Sequence, residues 1–166
     1  MSVLKYIHEI PNFPKKGIVF QDISPIFKNH FEALITECAD VISQIENIDY
    51  FVGIEARGFV LASALAERFK KGFVMIRKKG KLPPPKLEES YQLEYGVETI
   101  EMENGKGNIC IIDDVLATGG TLTAACNLAT KCGYTIVDCF VVLNLISLNN
   151  FKFNDIKCKS LLSKQC

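Results

Sequence analysis

The chain has 166 residues, 48% hydrophobic and 23% charged, and its 19 lysines plus arginines are balanced by 19 aspartates plus glutamates. That length builds one globular domain with a sizeable core and little beyond it, so a single domain over 1–166 is expected. Zero net charge excludes a global field for nucleic acid or an anionic membrane, and the densest apolar run, 139–143, is far shorter than a membrane helix.

The first 30 residues read as an irregular arm, because Pro11, Pro14, Gly17 and Pro25 interrupt any regular element. From 31 to 45, Phe31, Leu34, Ile35, Cys38, Val41, Ile42 and Ile45 recur at helical spacing. A short apolar strand over 50–54 leads to a turn at Glu55-Ala56-Arg57-Gly58 and a helix from about 60 to 70. Residues 73–76 form the next strand. The stretch 78–89 is charged and holds Pro83-Pro84-Pro85, while 91–95 and 99–102 fit a hairpin around Gly96. It reads equally as a solvated loop or as a mobile flap over a site. A strand over 108–112, a Gly119-Gly120 turn, a helix over 121–131 and a strand over 135–145 complete the pattern, with a little more β structure in the tail. Short apolar strands alternating with helices predict an α/β fold with an open, mostly parallel sheet covered on both faces.

Seven cysteines, at 38, 110, 126, 132, 139, 158 and 166, contain no CxxC pair and mostly lie in apolar stretches. Neither a disulfide framework nor a zinc site is expected, and two histidines leave no room for histidine-rich metal chemistry. The sequence starts without a long apolar leader, so a cytoplasmic location is expected. Only three of the basic residues are arginines, Arg57, Arg68 and Arg77. In a lysine-rich chain, an arginine in a loop points to a need for its planar, two-pronged donor fork.

The most informative stretch is CIIDDVLATGGTL, Cys110 to Leu122. An apolar strand runs into the adjacent carboxylates Asp113 and Asp114, then into Ala117-Thr118-Gly119-Gly120-Thr121 and a helix. In open α/β sheets ligands bind at the carboxyl ends of strands, and a helix N-terminus there offers unpaired N–H groups to an anion. Glycines permit close approach to a phosphate, and the carboxylates accept from sugar hydroxyls or a hydrated metal ion. Together these features ask for a sugar phosphate. The alternative is a plain strand-turn-helix with capping aspartates. Neither a Walker loop nor a dinucleotide GxGxxG is present.

CIIDDVLATGGTL resembles the ribose-phosphate signature of type I phosphoribosyltransferases. Four further segments resemble the adenine phosphoribosyltransferase family in order: IPNFPKKGIVFQDISPIF (10–27), GIEARGF (53–59), IRKKGKLP (76–83) and SYQLEYG (90–96). The likeness runs from about Ile10 to Leu148. It implies transfer of phosphoribose from phosphoribosyl pyrophosphate to adenine, giving AMP and pyrophosphate with Mg2+, in a cytoplasmic homodimer of the purine-salvage kind.

The resemblance also implies residue roles. Asp113 and Asp114 hold the ribose hydroxyls, directly or through water, and Ala117, Thr118, Gly119, Gly120 and Thr121 cradle the 5′-phosphate. Glu55, Ala56 and Arg57 form the pyrophosphate loop, with a strained or cis peptide, and Arg77, Lys78 and Lys81 lie near the pyrophosphate or reach into a neighbour's site. Val19, Phe20 and Gln21 form the adenine contacts of an N-terminal hood over 1–30, Gln21 standing where some relatives have arginine. A β-hairpin flap over 78–102 carries Glu94 as general acid/base, with Tyr91 and Tyr95 packing over the site. Arg57 is the second residue placed in catalysis. Mg2+ is held through the donor, with Asp113 and Asp114 reaching it through water and no direct protein ligand assigned. Three features depart from the family pattern: Pro84-Pro85, the VLNLISLNN stretch with Asn144 for a usual glutamate and Asn149 near a usual glycine, and the lysine-rich tail. Two other functions compete with adenine transfer. Another purine substrate is disfavoured by the hood and flap motifs, and a transcriptional sensor of phosphoribosyl pyrophosphate by the lack of a DNA-binding appendage.

Overall fold

In the computed structural model, which describes residues 2–93 and 96–165, the chain opens with two short antiparallel strands. These are β1 (His8–Pro11) and β2 (Val19–Asp22), with Glu9 opposite Gln21. Helices α1 (Ser24–Asn29) and α2 (Phe31–Ile42) follow. Next come β3 (Tyr50–Ile54), α3 (Arg57–Phe69) and β4 (Gly72–Lys78). A long hairpin, β5 (Lys86–Leu93) and β6 (Gly96–Glu103), precedes β7 (Gly107–Leu116), α4 (Gly120–Lys131), β8 (Tyr134–Leu145) and β9 (Lys159–Lys164).

Seven strands form one sheet in the order β5-β6-β4-β3-β7-β8-β9. The five from β4 to β9 are mutually parallel, and β6 adds the hairpin antiparallel to β4. The expected α/β class with a mostly parallel sheet is therefore correct. Alternation along the strands sends side chains to two separate cores. Phe51, Cys110, Ile112, Phe140 and Val142 face α2 and α3, whereas Val52, Ile111, Cys139 and Val141 face α4. From β3 the chain crosses to β4 on one side, and β7 returns on the other. The loops after β3 and β7 therefore diverge, and the crevice between them is where ligands bind in such sheets.

Three local expectations are corrected. The arm over 1–30 is not irregular: Pro11 ends edge strand β1 opposite Val19, and Pro25 lies in the first turn of α1. Both are positions where a missing N–H costs little. The α2 helix stops at Ile42 rather than 45, and Ile45 N–H returns to the Ile42 carbonyl in a turn. Strand β7 continues past Ile112 through both aspartates to Leu116, because β8 pairs with it as far as Leu116–Asn144.

Glu101 is fully buried in β6, and its carboxylate accepts from the N–H groups of Gly80 at 3.0 Å and Lys81 at 2.6 Å, from Leu82 N–H, and from the Lys86 ammonium. Burial pushes the Glu101 carboxyl upward, but Lys86 and the three backbone donors outweigh it and hold it at about 2 against an ordinary 4.5. A carboxyl depressed in the folded state contributes stability above its ordinary value and loses it as pH falls toward 2. Melting temperature should therefore drop faster between pH 5 and 2.5 in the wild type than in Glu101→Gln, by roughly 5 °C across that window. Parallel curves would place the acid sensitivity elsewhere.

Candidate active site

A cavity of about 720 Å³ opens at the carboxyl ends of β3 and β7, with β2 as its outer wall and the β5–β6 hairpin along one side. The cavity brings together thirteen of the residues singled out from the sequence. From the N-terminal arm come Val19, Phe20 and Gln21, from the β3–α3 junction Glu55, Ala56 and Arg57, and from the hairpin region Lys78 and Tyr91. Asp113, Asp114, Ala117, Thr118 and Thr121 complete the set.

Two helices begin at this cavity without a side-chain cap. α3 starts at Arg57 after Ala56, and α4 starts at Gly120 after Gly119, whose φ of 89° favours glycine. Their first N–H groups and positive dipole ends thus lie beside one crevice, an arrangement suited to two anionic groups on one ligand. The Glu55–Ala56 peptide is cis. Gly58 lets α3 approach β7 closely, since a Cβ there would stand 2.7 Å from the Ile112 carbonyl oxygen and 3.2 Å from Asp113 Oδ1. That approach carries Arg57 to the carboxylates.

Arg57 Nε lies 2.7 Å from Asp114 Oδ2, an ion pair without an aligned hydrogen bond, since that oxygen is buried with no hydrogen-bond partner. The same guanidinium sits 5.4 Å from the centre of the Phe20 ring. One arginine therefore links the arm, the β3–α3 turn and the acid pair. Asp113 Oδ1 accepts from Asp114 N–H at 2.9 Å. Burial, and then the neighbouring Asp114 charge, raise the Asp113 carboxyl well above its ordinary value. The second buried orphan is Gln21 Oε1, an unused acceptor on a residue lining the cavity.

The other basic residues divide. Lys78 Nζ pairs with Glu98 at 2.7 Å, within the cavity. Arg77 does not line it: its Nε is 3.4 Å from Glu55, and it also reaches the Lys81 carbonyl at 3.5 Å. Lys81 and the pair Gly119 and Gly120 also lie outside the lining, although Gly120 approaches the hairpin, where a Cβ would meet the Gln92 carbonyl oxygen at 3.7 Å and the Tyr91 ring at 4.0 Å. Glu94 and Tyr95 fall outside the described residues.

The crevice has the features to suit a doubly anionic ligand with hydroxyls between its charges and a flat apolar group against the arm. Comparison with known proteins identifies the group. Residues 25–164 match the family model for the phosphoribosyl transferase domain. The adenine phosphoribosyltransferase of Bdellovibrio bacteriovorus is 48% identical over 164 residues, 98% of this chain and 99% of that one. The chain belongs to the adenine phosphoribosyltransferase family. Among solved structures, the family's enzyme from Giardia lamblia, complexed with 9-deazaadenine, superposes with a TM-score of 0.86 at 32% identity, covering 100% of this chain and 99% of that one. The Saccharomyces cerevisiae enzyme, complexed with an imino-altritol bisphosphate and adenine, gives 0.79 at 36% identity over 87% and 88%. Family members of this kind are pentosyltransferases that join phosphoribose to adenine.

Sequence reasoning missed Glu98. In the β5–β6 hairpin it faces Tyr91, whose hydroxyl donates to it at 2.9 Å, and Thr121 Oγ1 donates to the same hydroxyl at 3.3 Å. Lys78 pulls the Glu98 carboxyl below its ordinary value, and burial pushes the Tyr91 hydroxyl up to about 12. The register that sets Leu93 opposite Gly96 brings Glu98 across from Tyr91, whereas a hairpin paired about Gly96 would have set Tyr91 opposite Glu101, so the sequence carried no signal for this contact. Ile54, Ile100, Leu145 and Leu148 also line the cavity and carried no signal beyond being apolar.

Proposed function

We propose that this cavity binds phosphoribosyl pyrophosphate and adenine together, with the residue roles as follows. The observation that carries the reading is the junction of Arg57 with Phe20 on one side and Asp114 on the other, between two uncapped helix N-termini. The α4 terminus and Ala117–Thr121 take the 5′-phosphate, Asp113 and Asp114 take the ribose hydroxyls, and the α3 terminus with Arg57 and Lys78 takes the pyrophosphate. Adenine lies against Val19 and Phe20, and Gln21 Oε1, otherwise unpartnered, accepts from its exocyclic amine. An acceptor at that place disfavours oxo-purines, whose exocyclic oxygen cannot donate.

In the reaction the imidazole nitrogen of adenine bonds to the anomeric carbon as the bond from that carbon to pyrophosphate breaks. The leaving group departs with the electron pair, its growing charge met by Arg57, Lys78 and the α3 dipole. Glu94 receives the proton that adenine releases. Glu98 holds Lys78 and Tyr91 in the resting hairpin, so Lys78 turns to the pyrophosphate when the donor arrives. Tyr91 and Tyr95, on a flap spanning 78–102, exclude water from the cation-like sugar.

Among the described residues no group of three or more acidic, histidine or cysteine side chains could hold a metal. Asp113 and Asp114, adjacent carboxylates on the cavity lining, would reach through water a Mg2+ carried mainly by the donor's oxygens, which would supply charge neutralisation at the pyrophosphate. Lys81 is exposed and does not line the cavity of its own chain, which fits a homodimer in which it serves the neighbouring site. A cytoplasmic location belongs to the same reading.

The test is a product assay with Mg2+ and phosphoribosyl pyrophosphate, offering adenine, hypoxanthine, guanine and xanthine separately. AMP from adenine alone is expected. A nucleotide from another base would leave the donor site standing and remove the base assignment.

A further inference from the structure

Asn144, near the end of β8, and Asn149, just beyond it, are joined to one another. Asn149 Nδ2 donates to Asn144 Oδ1 at 3.1 Å, to the Leu145 carbonyl at 3.0 Å and to the Ala117 carbonyl at 2.8 Å. Its Oδ1 accepts from Phe151 N–H at 3.1 Å. Phe151 itself packs behind the same turn, since a Cβ on Gly119 would meet its Cβ and Cδ2 at 3.7 Å. The turn over 117–121 is thus held from behind at two points, one polar and one apolar, by a segment contributing nothing to the sugar-phosphate contacts assigned above.

We propose that Asn149 is a positioning residue for the 5′-phosphate, acting through the Ala117–Thr118 peptide. In a trans peptide the carbonyl and the next N–H point in opposite directions. Tying the Ala117 carbonyl to Asn149 therefore aims the Thr118 N–H away from Asn149. Asn149 does not line the main cavity, whereas Ala117 and Thr118 do. The peptide that flanks the α4 terminus is fixed before any ligand arrives, so binding spends less ordering on it. Asn144 orients the amide: its Oδ1 occupies one of the Nδ2 hydrogens and fixes which side of Asn149 donates. Asn144 and Asn149 thus act as one device.

The inference rests on the assignment of 117–121 to the 5′-phosphate, and its test separates the two. Asn149→Asp keeps the acceptor for Phe151 and removes the donor to Ala117; Asn149→Ala removes both. Binding of AMP and of adenosine, which lacks the phosphate, is measured by calorimetry for each variant beside the wild type, together with melting temperature. AMP affinity is expected to fall about 5- to 10-fold in Asn149→Ala, the worth of one hydrogen bond, with adenosine affinity unchanged, and further in Asn149→Asp, whose added charge also repels the phosphate. In kinetics the KM for phosphoribosyl pyrophosphate rises while kcat at saturation changes less. Equal loss for AMP and adenosine, or none for either, overturns the proposal. The double variant Thr118→Val, Thr121→Val reads the underlying assignment. If it weakens AMP and Asn149→Asp does not, only the brace is wrong; if it leaves AMP binding intact, the phosphate assignment falls and the brace with it. Asn149→Ala supplies the same comparison should the aspartate variant fold poorly.

Discussion

Replacing Arg57 with methionine is expected to lower kcat/KM for phosphoribosyl pyrophosphate by about 100- to 1,000-fold, the usual loss when one donor to developing charge is removed. Three roles meet in this side chain. It lies against the Phe20 ring, it neutralises buried Asp114 at 2.7 Å, and it starts the helix whose dipole faces the crevice. Methionine keeps much of the volume and the contact with Phe20 but leaves the Asp114 carboxylate without its counter-charge. Arg57→Lys should fall nearly as far, because an ammonium cannot stack on Phe20 and hold Asp114 as a planar fork does. Steady-state kinetics alongside a melting curve decide the matter. Folded variants with kcat/KM within about threefold of wild type would remove Arg57 from the mechanism.

The second large effect is expected from Asp113→Asn with Asp114→Asn, which should weaken donor binding about 100-fold, as two hydrogen bonds to charged groups would. The two positions are unequal. Burial and then the Asp114 charge raise the Asp113 carboxyl, so removing its charge costs less than at Asp114. Asp114 is the charged partner of Arg57, and its replacement also frees the guanidinium. The single variants should therefore rank with Asp114→Asn the weaker binder. Calorimetric titration with phosphoribosyl pyrophosphate and Mg2+ reads this directly. Unchanged affinity in the double variant would move the ribose contacts elsewhere.

Much of this site was legible in the chain because its parts are local. Residues 113–121 form one unbroken strand-turn-helix, and residues 55–58 another, so the acid pair, the small-residue turn and the loop arginine announce themselves by spacing. The α/β class followed from the alternation of short apolar strands with helices for the same reason. Periodicity was less informative in the arm, where four helix- and strand-breaking residues concealed a hairpin and a short helix. Prolines at an edge and in a first turn break nothing, but only the neighbours show which positions are edges.

By itself, then, the sequence determined the strand-helix order, the two turns that open α3 and α4 and the family resemblance, all properties of contiguous residues. The tertiary structure alone decided that Arg57 spans Phe20 and Asp114, that Glu98 rather than solvent receives Lys78, and that Asn149 reaches back 32 positions to Ala117. Each of those contacts joins segments far apart in the chain or across a hairpin. No spacing rule encodes such meetings, because they depend on sheet order, on strand register and on how closely Gly58 lets one helix approach β7.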